Sequence, residues 1–258
     1  MKKVTAIFNL KGGVGKTTTV INMAAILADE YDAHVLVIDA DAQCNTTEFF
    51  GGETTGPRTL AGLLRSGLSV GQSSRVDVIR STNYSGVSLI PAEDSLMDLD
   101  LSKVEAGTVH INVLRALVET VGNSYDYVLI DCPPSFSAAS AAALVAADDV
   151  IIPIKIDAFS IRGMGNLLRQ IQNMQQINPR LRLSGVLPTM WYKHQKILEV
   201  EETLRDSLPV YPHIRRSDTV DRMTFQQAPL RVSSPNSGAG QDYRAFVRAY
   251  VQGGVSSV

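Results

Sequence analysis

The chain has 258 residues, 45% of them apolar, and a formal net charge of −2. That is ample apolar material for one large α/β core, and no run of eighteen apolar residues suggests a membrane span. The near-neutral charge gives no general pull toward nucleic acid. Only two cysteines, Cys44 and Cys132, are present, which excludes a disulfide framework or a cysteine zinc site and points to a reducing cytoplasm.

After Met1-Lys2-Lys3 the sequence enters an apolar run at 4–8, shorter than the apolar region of a secretory leader, so no leader is expected. Next comes Asn9-Leu10-Lys11-Gly12-Gly13-Val14-Gly15-Lys16-Thr17-Thr18-Thr19, overlapping a helical pattern over 16–30. The glycines let backbone N–H groups turn inward around an anion, Lys16 adds a cation, and Thr17 offers a hydroxyl to Mg²⁺. The new helix points its positive end at the same place. This is a phosphate cradle of the P-loop kind, with one departure: Leu10 stands where the general pattern has glycine, and a second lysine, Lys11, opens the loop. Lys16 is placed to reach a phosphate of its own loop. Lys11 sits at the opposite lip, where its side chain is expected to point outward to a neighbouring subunit and its nucleotide; a solvated surface lysine is the plainer alternative.

Further apolar runs at 34–38, 87–90, 126–130, 149–154 and 182–187 predict strands. Helical patterns cover 109–121, 136–146, 160–176, 194–206 and 240–252. Strands apolar throughout are covered on both faces, so the expected fold is α/β: one P-loop domain with a mostly parallel twisted sheet and helices on both sides. The domain is expected to span 1–254, with 255–258 a flexible tail. Residues 48–58 and 232–240 are expected to be loops. Asp39, Asp41 and Asp131 fall at carboxyl ends of strands, where ligands bind in such sheets.

Lys11 to Thr17, Lys-Gly-Gly-Val-Gly-Lys-Thr, resembles the hallmark of the deviant Walker A ATPases of the ParA/MinD type. The likeness extends through Val35 to Asn45, similar to that family's first switch, and through Tyr127 to Pro134, similar to its Walker B strand and second switch. It continues at Leu89-Ile90-Pro91-Ala92, Val150 to Pro153 and Gly185 to Met190. It covers most of the chain and is nearest to ParA proteins that partition DNA.

The resemblance implies ATP and Mg²⁺ as cofactors and slow, partner-stimulated hydrolysis. Lys11, Lys16 and Asp41 are the expected catalytic residues, with Asp41 holding the attacking water. Gly12, Gly13, Val14, Gly15, Thr17 and Thr18 join the two lysines around the phosphates, while Thr189, Met190 and the segment 213–216 match base-binding loops. Thr17, Asp39 and Asp131 are expected at the metal. Asp157 falls where the family has an acid near the signature lysine, and Ala42 replaces a common proline, which loosens the first switch.

ParA-type proteins form an ATP-dependent homodimer, bind DNA without sequence preference and meet a ParB-like DNA-binding adaptor. The implied location is cytoplasmic and nucleoid-associated, with no stable membrane insertion. From Arg180 to Arg231 nine Lys/Arg face six Asp/Glu, so Lys193, Lys196, Arg215, Arg216, Arg222 and Arg231 are the expected DNA contacts. Arg215 and Arg216 also suit the base loop. Two alternatives stay open: a MinD-like membrane cycler using Tyr243 to Val251 as an amphipathic helix, and a metabolic ATP-dependent enzyme on the same scaffold.

Overall fold

A computed structural model describes residues 3–55, 58–66 and 77–253. Its strands are β1 (Lys3–Ile7), β2 (Val35–Asp39), β3 (Arg80–Ser81), β4 (Val87–Ile90), β5 (Tyr127–Asp131), β6 (Asp149–Lys155) and β7 (Arg182–Thr189). They form one sheet in the order β3-β4-β2-β5-β1-β6-β7, parallel except for the β3–β4 pair at its edge. Helices in chain order are α1 (Lys16–Tyr31), α2 (Asn45–Phe49), α3 (Leu60–Ser66), α4 (Leu101–Glu105), α5 (Asn112–Thr120) and α6 (Ala138–Ala146). They continue with α7 (Ala158–Ile177), α8 (Gln195–Ser207), α9 (Asp218–Gln226), α10 (Leu230–Ser233) and α11 (Gly238–Val251).

The central strands have apolar residues on both faces, and successive residues feed opposite cores. Leu36, Ile38, Val128 and Ile130 join one cluster with α5 and α6, while Val35, Val37 and Leu129 join the other with α1 and α11. Each Leu, Ile or Val so buried contributes about 1.5–3 kcal/mol. Every expected strand and long helix is present, and side-chain caps set the start of several. Ser137, Asp157 and Ser237 each accept a backbone N–H three residues on, from Ser140, Ser160 and Gly240 respectively. These caps start α6, α7 and α11 where polar side chains satisfy otherwise unpaired donors.

Two expected loops hold helix. α2 enters 48–58 as far as Phe49, and 232–240 contains the end of α10 and, from Gly238, the start of α11. In both, burial of a few apolar side chains (Phe49, Phe50, Leu230, Ala239) outweighs a Gly/Ser-rich composition. Residues 56, 57 and 254–258 lie outside the described residues, and with them the expected tail.

Candidate functional site

β1 delivers the glycine loop to the carboxyl end of the sheet, and the loop's shape depends on its glycines. Gly13 and Gly15 adopt φ of +69° and +83°, a region that side-chain-bearing residues rarely enter. Asn9 braces the base of the loop: its Nδ2 donates to the Pro153 carbonyl (2.7 Å) and its Oδ1 accepts the Lys11 N–H (3.0 Å). Thr189 braces the far side by donating its hydroxyl to the Val14 carbonyl at 2.9 Å. The motif alone assigns Asn9 no role, and it puts Thr189 at a base rather than at the loop.

The two lysines part company. Lys16 is 6% exposed and folds back over the loop, its Nζ 3.1 Å from the Lys11 carbonyl. Burial lowers its pKa, opposed chiefly by the charge of Asp131. Lys11 instead reaches away to the start of α7, where its Nζ meets Asp157 Oδ2 (2.7 Å), Asp157 Oδ1 (3.0 Å) and Ser160 Oγ (2.9 Å). Burial alone would raise the Asp157 pKa, but the bonds from Lys11 and Ser160 outweigh it and hold the carboxyl at about 2. Within one chain, then, Lys11 is neither free nor simply solvated.

Three aspartates follow from strand ends. Asp39 and Asp131 are register partners on β2 and β5 and are fully buried. Burial raises the pKa of both, and the neighbouring Asp131 charge adds to the rise at Asp39. Hydroxyls offset this. Thr17 (2.7 Å) and Thr46 (2.6 Å) donate to Asp131 Oδ2, and Thr47 donates its N–H and its hydroxyl to Asp39 Oδ2. Sequence reasoning misses Thr46 and Thr47, because a threonine pair in a short helix carries no pattern of its own. Asp131 Oδ1 is buried with no hydrogen-bond partner. An orphaned carboxylate oxygen beside a second buried carboxylate and the Thr17 hydroxyl fits a hydrated divalent cation. Among the described residues no group of three or more His, Cys, Asp or Glu side chains makes a self-sufficient metal site. A cation here would take its remaining oxygens from water and a ligand's phosphates. Asp41 stands nearer the solvent, its N–H bonded to Asp39 Oδ1 and its own Oδ1 accepting the Gln43 N–H.

Gly12, Gly13, Gly15, Lys16, Thr17, Thr18 and Asp41 line a cavity of about 610 Å³. A second cavity, of about 450 Å³, shares Gly15, Thr18 and Met190 with it and is walled by Thr189, Tyr192, Lys155 and the segment 214–218. Met190, between the two, holds a left-handed φ of +51°. Lys155 and Tyr192 are wall residues that the sequence does not mark. Cys44 and Cys132 are buried, and burial raises both thiols, Cys44 to about 12, away from the thiolate form.

The expected DNA residues divide. Arg215 is gripped by Asp242 through Nε (2.7 Å) and Nη2 (2.8 Å), and Arg231 faces Glu30 at 3.1 Å. Lys193, Lys196, Arg216 and Arg222 are exposed, and no ion pair ties them among the described residues.

A family profile described as an AAA domain matches residues 2–183. The sporulation initiation inhibitor protein Soj of Bacillus subtilis is 33% identical over 250 residues, covering 94% of this chain and 96% of Soj. A ParA family protein of Chlamydia muridarum is 31% identical over 93% of this chain and 94% of its own. The chain belongs to the ParA-type ATPase family. Among solved structures, apo McdA from Cyanothece matches with a TM-score of 0.83 at 25% identity, over 97% of this chain and all of that one. Cobyrinic acid a,c-diamide synthase from Mycobacterium smegmatis, bound to ADP and magnesium, matches with a TM-score of 0.80 at 31% identity, over 98% and 95% of the two chains. No helix among the described residues is long and apolar enough to cross a membrane.

Proposed function

We propose that this ParA-type protein is a DNA-partitioning ATPase: ATP closes a homodimer, the dimer holds DNA through phosphate contacts, and a ParB-like DNA-binding adaptor stimulates hydrolysis and release. The observation that carries this is the division of labour between the lysines. Lys16 is buried over its own loop, whereas Lys11 is led out of the loop to an exchangeable ion pair with Asp157. A lysine so placed can leave Asp157 for the phosphates bound by a second chain.

In this reading the loop N–H groups, Lys16 and Thr18 hold the phosphates, and the base enters the second cavity against Met190 and residues 214–218. Mg²⁺, when bound, would neutralise the developing phosphate charge. Thr17 would ligate it, with Asp39 and Asp131 holding its waters. Asp41 orients the attacking water, and Ala42 leaves that segment freer than a proline would. Hydrolysis is then slow until the adaptor orders the switch. DNA lies on Lys193, Lys196, Arg216 and Arg222, which places the protein on the nucleoid.

The membrane-cycling alternative needs a free apolar face on the last helix. On α11 that face, Tyr243, Phe246, Val247 and Tyr250, is buried in the core. Co-sedimentation with DNA in ATP, ADP and no nucleotide tests the proposal. Retention in ATP alone, together with a mass doubling in light scattering, is expected. Equal retention in all three states, or none, rejects it.

A further inference from the structure

The amino end of the sheet holds a second concentration of chemistry, remote from the nucleotide loop. A cavity of about 700 Å³ opens there beside the first residues of β1, β6 and β7, walled by Lys3, Arg115, Pro179, Arg180, Arg182 and Asp149 among others. Three arginines reach it from separate places: Arg115 from α5, Arg180 from the turn after α7, and Arg182 from the start of β7. Leu181 between the last two is buried at 1% exposure. Their own side chains stay open to solvent, Arg180 at 54% and Arg182 at 77% exposure.

Few of their donors are used. One oxygen of Glu119 serves two arginines, accepting from Arg115 Nε (3.2 Å) and from Arg180 Nη2 (3.1 Å). These two bonds, the one from Arg115 first, pull the Glu119 pKa below its ordinary range. Arg182 comes no closer than 3.8 Å to Asp149, outside hydrogen-bond reach, and its side chain is 77% exposed. Lys3 takes the nearer place on Asp149 at 3.0 Å, and Asp148 is engaged by the Val4 N–H at 3.2 Å. A guanidinium carries five N–H donors in a planar fork that matches oxyanions. Most donors of the three arginines thus stay unpaired by protein at one cavity, where four cations (these and Lys3) outnumber the three carboxylates Glu119, Asp148 and Asp149.

We infer that this cavity is a binding site for a small polyanion bearing phosphate or carboxylate groups, gripped by Arg115, Arg180 and Arg182. Glu119 is its internal competitor, standing in for one of the ligand's anionic groups. Because the site lies at the opposite end of the strands from the glycine loop, the ligand binds alongside nucleotide.

Calorimetry on the full chain saturated with ADP and Mg²⁺, using pyrophosphate and citrate as probes at low ionic strength, tests this. One site per chain is expected for at least one probe. A preference for pyrophosphate assigns a phosphate ligand, a preference for citrate a carboxylate, and equal binding the shared chemistry. Arg180→Glu with Arg182→Glu should weaken binding by about tenfold or more. Glu119→Gln, which removes the competing negative charge, should tighten it severalfold. ADP affinity should stay unchanged in both variants, which also checks their folding. No saturable binding of either probe, or binding that ignores both variants, overturns the inference.

Discussion

The glycine loop and the late basic stretch from Arg180 to Arg231 are both conspicuous in the sequence, yet they are built on different principles. In the loop the work is done by backbone: two glycines in left-handed conformations, and braces from Asn9 and Thr189. Spacing alone specifies such a site, because φ and ψ are local. In the late stretch the work is done by charge, and charge is spent one residue at a time on partners far along the chain. Asp242 takes Arg215 and Glu30 takes Arg231. A run of cations therefore does not reveal which are available to a ligand, whereas a run of glycines at fixed spacing does reveal a cradle.

The largest expected effect lies in the loop. Lys16→Ala removes the buried ammonium and should weaken ATP binding on the order of a hundredfold, since charge-assisted bonds to phosphate are among the strongest available. Calorimetry reporting unchanged affinity would remove the contrast with the late stretch altogether.

A smaller but distinct effect is expected from the cations that remain unspent. Reversing Lys193, Lys196 and Arg216 to Glu together should weaken DNA binding at least tenfold on any sequence. The dependence of log K on log salt should become shallower by about 0.9 for each phosphate that is no longer neutralised. ATP affinity measured on the same variant separates this from damage to the base cavity, which Arg216 also lines. An unchanged salt slope would mean that DNA lies elsewhere.

How much of the molecule is legible in its sequence follows the same division. The strand order of chemistry (Lys16, Asp39, Asp131) can be read because apolar runs end in aspartate at the carboxyl edge of a parallel sheet. The short helices α2, α3, α4 and α10 cannot, since four to seven residues carry too little periodicity and are held by tertiary burial. Thr46 and Thr47 escape for that reason: they matter only because α2 turns their hydroxyls onto two buried carboxylates. Resemblance puts Asp157 beside Lys11, and the ion pair is present. The further tie to Ser160 emerges only with the start of α7.

Breaking that pair should shift behaviour severalfold without touching the phosphates. Asp157→Asn leaves a side chain that still caps α7 but no longer holds Lys11 by charge. ATP-dependent dimer, measured by light scattering, should then form at severalfold lower protein concentration. An unaltered dimerisation curve would show that Lys11 is not restrained by Asp157. The acid limb of stability offers a second readout. The folded carboxyl sits at about 2, below its unfolded value of about 4. Its contribution is therefore present above pH ~4 and lost as pH falls toward ~2, and the variant should flatten that part of the curve.

The smallest effect expected is at Arg215, and it tests the comparison most finely. Its guanidinium is bidentate on Asp242 but its side chain is 53% exposed, so solvent screens the pair and its removal should cost at most about 1 kcal/mol. The pairing still has a structural reason. A Cβ on Gly238 would come within 2.8 Å of the Arg215 side chain, so the start of α11 is shaped to let that arginine pass. Arg215→Ala should thus lower thermal stability slightly and leave the salt slope of DNA binding near that of the parent. Arg216→Ala, one residue away and unpaired, should do the reverse, leaving stability alone while one DNA phosphate goes without its cation. If the two substitutions weaken DNA binding equally, the Asp242 pair does not withhold Arg215 from DNA. Intramolecular pairing would then be the wrong guide to which cations of the late stretch serve a partner.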